Sequence, residues 1–353
     1  MAIKTIMPVI TARLMTLGAI LLGLSISTAL AAPVEGQIIS TDTITPAPIG
    51  SAYIDTSLPA EFSEEVALWS ESSSVLQDGI RQISRDTFAN SHPELVITHP
   101  SLLIYPPETN TSRAAIIVFP GGGYKGVAIA RKSTIGFNGA DVCGWLNEAG
   151  VTCIILKYRV PNTGCNYNKK TRQHETPDIP LALQDAQRAI STVRFNAEKY
   201  GIDPKKIGVL GFSAGGNLAV LSSTSSRNRT YTPLDEIDQV SSRPDFAIPV
   251  YPGHMTMEHK NKRPKSVAAQ ELNTDIEVTD EVPPTLLIHA EDDPTNPVYY
   301  SELYESALKG AGVKVDLITY RTGGHAFGVK KQNKESDRWT ADTIHWLMNL
   351  KIL

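Results

Sequence analysis

The sequence predicts an α/β fold, with a mostly parallel central sheet flanked by helices and a partial lid over one end. Three observations predict it. Short apolar runs without polar alternation, at residues 114–119, 152–158, 207–212, 246–251 and 285–290, suit strands covered on both faces. Stretches of helical period lie between them, at 136–149, 180–200, from Ala214 onward, at 299–309 and at 339–350. Strands alternating with helices of this length call for parallel pairing through right-handed crossovers. The stretch 252–284 breaks the pattern. It is polar and proline-bearing, so it is assigned to the lid, over the carboxyl ends of the strands where such sheets bind ligands.

Taken in order, residues 1–31 read as a signal peptide. Lys4 and Arg13 precede an apolar run, and Ala29-Leu30-Ala31 offers small residues for cleavage. Its removal takes two bases and no acids, moving the formal charge from -4 to -6. With no long basic run, nucleic acid and anionic membrane are excluded as partners. The product is expected to be secreted or periplasmic. Residues 32–76, rich in Pro, Ser, Thr and Ala, read as a leader that wraps the domain, and 77–353 as a single α/β domain. Residues 95–98 and 102–105 suggest a hairpin about Pro100, whereas 159–180, with four prolines and glycines, suggests a loop. Residues 313–320 alternate in polarity, as a strand nearer the sheet edge would. Of three cysteines, Cys143 falls in a helical pattern and Cys153 in a strand, where a buried free thiol is the usual outcome, although export permits a disulfide. No cysteine and histidine spacing suits zinc.

The chemistry centres on Gly211-Phe212-Ser213-Ala214-Gly215, between the run 207–212 and a helix. A strand-to-helix reversal this tight strains the serine, and side chains two positions either side would collide, hence the glycines. A serine needs a base. His325 lies in a glycine-flanked loop (GGHAFG) directly after the run 313–320, whereas His289 lies within a strand and is expected in the core. The imidazole needs a carboxylate, and Asp293 follows the strand ending at Ala290, with Asp292 the alternative. Three glycines after the strand 114–119 free backbone N–H groups for a developing oxyanion. Gly122, Gly123 and the Ala214 amide are assigned that role. A phosphate loop is excluded, because Lys125 is followed by Gly126 rather than by a hydroxyl residue. Tyr124, Tyr251 and His254 are candidates to line the substrate pocket or to belong to core and rim. Asp185 and Arg188 are expected to anchor their helix by polar contacts.

The order Ser213, Asp293, His325 is that of α/β-hydrolases. PGGGY (120–124), KYRVP (157–161), LQDAQRAI (183–190), GIDPKKIGVLGFSAGGNLA (201–219), the Asp293 loop and GGHAFG (323–328) appear in sequence. Together they resemble the exported acetyl-esterase and acetylxylan-esterase-like branch of that superfamily, often labelled xylanase-associated esterases, over residues 95–350. The resemblance implies the α/β-hydrolase fold, a Ser213-Asp293-His325 triad, no metal or organic cofactor, and a small-molecule or carbohydrate ester as substrate. Residues 125–138 depart from the family pattern, being longer and basic (Arg131, Lys132). The expected activity is hydrolysis of short acyl esters, acetyl above all, on xylan or related carbohydrates. Feruloyl or general short-chain carboxylesterase activity is the alternative. A catalytically inactive carbohydrate-binding relative is the alternative from another class.

Overall fold

The computed structural model describes residues 62–129, 139–162, 167–168, 173–174, 180–256 and 271–353. The expected signal peptide, most of the leader, Arg131, Lys132, Cys165 and the middle of the lid lie outside these residues.

Eight strands form one sheet: β1 (Glu64–Ala67), β2 (Ser101–Tyr105), β3 (Ala115–Phe119), β4 (Thr152–Lys157), β7 (Ile207–Phe212), β8 (Phe246–Val250), β9 (Thr285–Ala290) and β10 (Val315–Tyr320), in the order β1-β2-β4-β3-β7-β8-β9-β10. From β4 to β10 every neighbouring pair is parallel, and only β1/β2 and β2/β4 are antiparallel. β3, β7 and β9 are buried along their whole length, as their uninterrupted apolar runs require. β10, whose sequence alternates, lies at the sheet edge and is half-buried. Helices α3 (Gly139–Glu148), α4 (Pro180–Phe195), α5 (Ala214–Thr224), α6 (Tyr299–Gly310) and α7 (Trp339–Asn349) occupy the expected places. α5 is apolar on nearly all sides and buried, the condition such a helix needs.

Four expectations are corrected. Residues 95–98 and 102–105 do not form a hairpin. Pro93–Leu95 is a turn of 3-10 helix, Ile97 bridges Val160, and β2 pairs with β1 and β4 instead. Pro100 lacks the N–H a ladder needs, and the chain changes partners there. Residues 64–67 belong to the sheet as its edge strand although they fall within the expected leader, and α1 (Ser74–Ser84) begins inside that segment, with Ser73 capping it. The stretch 159–180 contains a two-stranded antiparallel ribbon, β5 (Tyr167–Asn168) with β6 (Gln173–His174). Cys143 and Cys153 are not free thiols but a disulfide, joining α3 to β4 where their Cα atoms lie 5.2 Å apart. Its two ends are 10 residues apart, and closing so short a loop restricts the unfolded chain by about 3 kcal/mol. Cys143→Ser should therefore lower the unfolding free energy by about 2–3 kcal/mol in a denaturant titration. In the wild type, thiol titration under denaturing conditions should find two more thiols after reduction than before.

Residues 62–91 are tied down by two buried arginines. Arg159 and Asp185 of α4 form a fully buried ion pair at 2.8 Å, and the Asp185 carboxylate also accepts from Trp69 Nε1 at 2.7 Å. Arg159 further donates to Val75 O of α1. The close approach requires Gly79, because a Cβ there would sit 2.3 Å from Arg159 Nη1. Arg188 donates to Leu68 O at 3.1 Å and pairs with Asp235 and Asp238. Both guanidinium groups lie over the Trp69 ring, 5.6 and 5.3 Å from its centroid. The anchoring expected of Asp185 and Arg188 is thus present, and it holds the segment before α1 as well as α4.

Candidate active site

Because β3 and β7–β10 run parallel, the loops that follow them emerge at one edge of the sheet. Those loops carry the predicted residues. Between β7 and α5 the chain reverses at Ser213, whose φ of 55° and ψ of -114° lie outside the usual regions for a non-glycine residue. Its backbone is held by three hydrogen bonds. Its N–H donates to Val250 O, and its carbonyl accepts from Asn217 N and Gly253 N, each at 3.0 Å. The flanking glycines answer a direct spatial demand. A Cβ on Gly211 would stand 1.9 Å from Gly215 O, and one on Gly215 would stand 2.0 Å from Phe119 O of β3.

The three candidates for the triad come together. His325 Nε2 lies 3.1 Å from Ser213 Oγ, and Nδ1 lies 2.7 Å from Asp293 Oδ2. A carboxylate only accepts, so Nδ1 carries the proton and Nε2 is left to accept from the serine hydroxyl. Asp293 is the acid in this line, and Asp292 has another task. Its Oδ1 accepts from Gly323 N and Gly324 N, at 2.8 and 2.7 Å, and so holds the turn that presents His325. The other Asp293 oxygen accepts from Thr295 N and Asn296 N. Burial pushes the Asp293 carboxyl up. Hydrogen bonding from His289 and His325, with their electrostatic attraction, outweighs burial and holds it well below the usual carboxylate range. Of the two imidazoles His325 is the nearer. His289 Nε2 stands 3.6 Å from Asp293 Oδ2 and directs its proton to Asn296 O at 2.8 Å.

The glycine loop after β3 packs against this reversal. A Cβ on Gly121 would lie 3.0 Å from Phe212 O and 3.5 Å from Ser213 Cβ, and Gly122 and Gly123 take φ of 145° and 61°. Tyr158 Oη donates to Pro120 O at 2.7 Å and Asn162 N donates to Tyr124 O at 2.8 Å, fixing both ends of the loop. Ala214 is the first residue of α5, whose leading N–H groups have no partner within the helix.

Of the three residues left between pocket and core, two are buried. Tyr124 is fully buried and donates from Oη to Asn217 Oδ1 at 2.8 Å, buckling the glycine loop to α5. Tyr251 is also buried. It donates to Phe327 O at 2.8 Å while its ring packs 5.0 Å from the His325 ring. Burial, with the Asp293 charge nearby, keeps its phenol pKa well above the ordinary value, so it remains a donor. Both position loops. His254 alone of the three is partly exposed, with its ring 5.6 Å from Tyr124. Sequence reasoning did not single out Asn296, which lies beside Ser213, and it gave His289 only a core position. Their one signal was spacing about Asp293, four residues after His289 and three before Asn296.

Comparison with known proteins agrees with this architecture. A family model described as BD-FAE matches residues 102–251, and that of the prolyl oligopeptidase family matches residues 181–351. A solved structure, the acetyl ester-xyloside bifunctional hydrolase of Caldicellulosiruptor lactoaceticus, superposes with a TM-score of 0.60 at 29% identity, covering 84% of this chain and 98% of that one. The chain is an α/β-hydrolase. Within that fold this hydrolase is acetylxylan-esterase-like. It is 29% identical over 256 residues to an acetylxylan esterase of Xylanibacter ruminicola, covering 68% of this chain and 46% of the relative. It is also 28% identical to endo-1,4-beta-xylanase B of Butyrivibrio fibrisolvens, covering 65% and 35%. The hydrolase thus spans about half the length, or less, of these curated relatives. An esterase of Thermogutta terrifontis shares the fold at 22% identity, with a TM-score of 0.55, over 72% of this chain and 91% of its own. Among the described residues, no helix is long and apolar enough to cross a membrane.

Proposed function

We propose that this α/β-hydrolase is an exported serine esterase that removes short acyl groups, acetyl above all, from xylan or related carbohydrates. The observation that carries the reading is the continuous line from Ser213 Oγ through the His325 ring to Asp293 Oδ2, at 3.1 and 2.7 Å. Ser213 Oγ attacks the ester carbonyl as its proton passes to His325 Nε2, and Asp293 holds the tautomer and stabilises the imidazolium. The carbonyl oxygen, now negative, rests on N–H groups of Gly122, Gly123 and Ala214, each such donor contributing about 3 kcal/mol to the transition state. The sugar hydroxyl leaves with the proton from His325. Water then gives a proton to the same nitrogen, adds to the acyl carbon and releases the acid, and the proton returns to Oγ. Support for the substrate class comes from the acetylxylan esterase relative and the acetyl ester-xyloside hydrolase neighbour.

Acetate release from acetylated xylan and xylo-oligosaccharides, measured beside a series of short-chain p-nitrophenyl esters, tests this reading, with Ser213→Ala as the blank. Release from the sugars and rates that fall as the acyl chain lengthens are expected. Hydrolysis of the synthetic esters alone would remove the carbohydrate claim and keep the mechanism. No Ser213-dependent hydrolysis of any ester would overturn the reading.

A further inference from the structure

Asn296 sits in the loop after β9, buried, with its side chain turned toward Ser213 and Tyr251 rather than toward solvent. Its Nδ2 is 2.9 Å from Tyr251 O and 3.5 Å from Ser213 Oγ. Tyr251 O can only accept, so the atom facing it is the amide nitrogen, and the same NH2 group faces the serine oxygen. The backbone of Asn296 is fixed as firmly. Its N–H donates to Asp293 Oδ1 at 2.9 Å, and its carbonyl accepts from His289 Nε2 at 2.8 Å. His289 is locked in turn by Ser301 Oγ, 2.8 Å from Nδ1. With Nε2 facing two acceptors, Nδ1 is the acceptor of the Ser301 proton. On the remaining side Gly253 leaves room for the amide, since a Cβ there would lie 3.1 Å from Nδ2 and 3.3 Å from Oδ1.

We propose that Asn296 is a further catalytic residue, donating a hydrogen bond to Ser213 Oγ when that atom leaves the acyl carbon. The inference rests on the serine-esterase reading. In the resting site Oγ has a proton to donate to His325 and lone pairs to spare. In deacylation the demand changes. His325 removes a proton from water as the water oxygen adds to the acyl carbon. As the tetrahedral intermediate collapses, the bond from carbon to Oγ breaks and its electron pair stays on Oγ. The proton on His325 Nε2 then moves to that oxygen, leaving the free acid and the serine hydroxyl. Charge builds on Oγ before the proton arrives, and a donor preset beside it stabilises it there. The Gly122, Gly123 and Ala214 amides serve the carbonyl oxygen, so they do not fill this role. In acylation the same donor assists ionisation of the hydroxyl and tempers the nucleophile, and these effects oppose each other. The effect of Asn296 is therefore concentrated in deacylation.

Stopped-flow hydrolysis of p-nitrophenyl acetate by the wild type, Ser213→Ala, Asn296→Val and Asn296→Ala separates the possibilities. Asn296→Val should lower kcat and KM together by about tenfold, the weight of one neutral hydrogen bond at a reacting atom. It should leave kcat/KM, which reports acylation, within about twofold. It should also raise the p-nitrophenol burst toward one per enzyme as the acyl-enzyme accumulates. Asn296→Ala adds nothing to the buried site and serves if the valine variant fails to fold, which thermal melting reports. A fall in kcat/KM matching that in kcat, with no burst, would mean a general disturbance of the triad and would overturn the proposal, as would an unchanged kcat. Either outcome, with Ser213→Ala inactive, leaves the esterase reading standing. Hydrolysis that persists in Ser213→Ala overturns both.

Discussion

Ser213→Ala is expected to lower kcat for ester hydrolysis by about a millionfold, and Asp293→Asn by about ten-thousandfold, with KM little changed. The serine variant loses the covalent route outright, and any residual rate comes from water attacking an ester held in the glycine loop. The aspartate variant keeps nearly the same shape and loses through the tautomer. An amide at 293 that still accepts from Thr295 N and Asn296 N would turn its NH2 toward His325 Nδ1, which must then accept. The ring proton moves to Nε2, and the serine loses its base. Stability should respond to the same change in a definite direction. The folded pKa of Asp293 lies below its ordinary value because hydrogen bonding from His289 and His325 outweighs burial. Its contribution to stability is therefore fully present above the unfolded pKa of about 4 and is lost as pH falls through the folded value. At neutral pH Asp293→Asn should melt below the wild type, and the gap should narrow in acid below about pH 4. Activity assays paired with melting curves at pH 7 and pH 3.5 check both parts. A gap that widens in acid would contradict the charge argument.

The proposed nucleophile, Ser213, was legible because the demand for glycine at 211 and 215 is local. Backbone carbonyls of Gly215 and Phe119 occupy the space a Cβ would need, so the constraint is written into a few residues. His325 and Asp293 were legible for a related reason. Parallel strands deliver their following loops to one edge, so polar residues after apolar runs are brought together by topology alone. Features that depend on distant partners were not legible. Edge strand β1 is four residues with two glutamates, and it is a strand only because Ser101–Tyr105 offers it a ladder. The disulfide depends on α3 lying against β4, which neither cysteine's own surroundings specify. Tyr124 and Tyr251 stayed open between pocket and core, because their hydroxyl partners, Asn217 Oδ1 and Phe327 O, lie 93 and 76 residues away in sequence. Asn296 gave no signal beyond its spacing from Asp293, because an asparagine near a proline reads as a turn residue.

Asp185→Ala is expected to destabilise the hydrolase by about 3–5 kcal/mol, the usual consequence of removing one partner from a fully buried ion pair. Burial pushes the Asp185 carboxyl pKa up, while the Arg159 charge and hydrogen bonds from Arg159 and Trp69 oppose it. Removing the carboxylate leaves Arg159 with a full charge and no exposure. Its remaining partners are Val75 O, Leu181 O and Gln184 Oε1, none of which carries a compensating charge. The Trp69 indole N–H and the Arg159 backbone N–H lose their acceptor in the same step. Failure should begin at the docking of residues 62–91, since Trp69 and α1 are held by this cluster, and should spread to the turn at Arg159 that precedes Asn162. Asn162 N donates to Tyr124 O, so loosening that turn frees one end of the glycine loop. The variant should therefore lose esterase activity at temperatures below its global melting point. Parallel curves of activity and far-ultraviolet ellipticity against temperature test this, and coincident curves would argue that the cluster stabilises the whole domain without special bearing on the site. Replacing Arg159 and Asp185 together by Met and Leu should recover much of the stability, because no unpaired charge then remains buried. Recovery of stability without recovery of activity would locate the role of Arg159 in the geometry of the turn, and not in the charge.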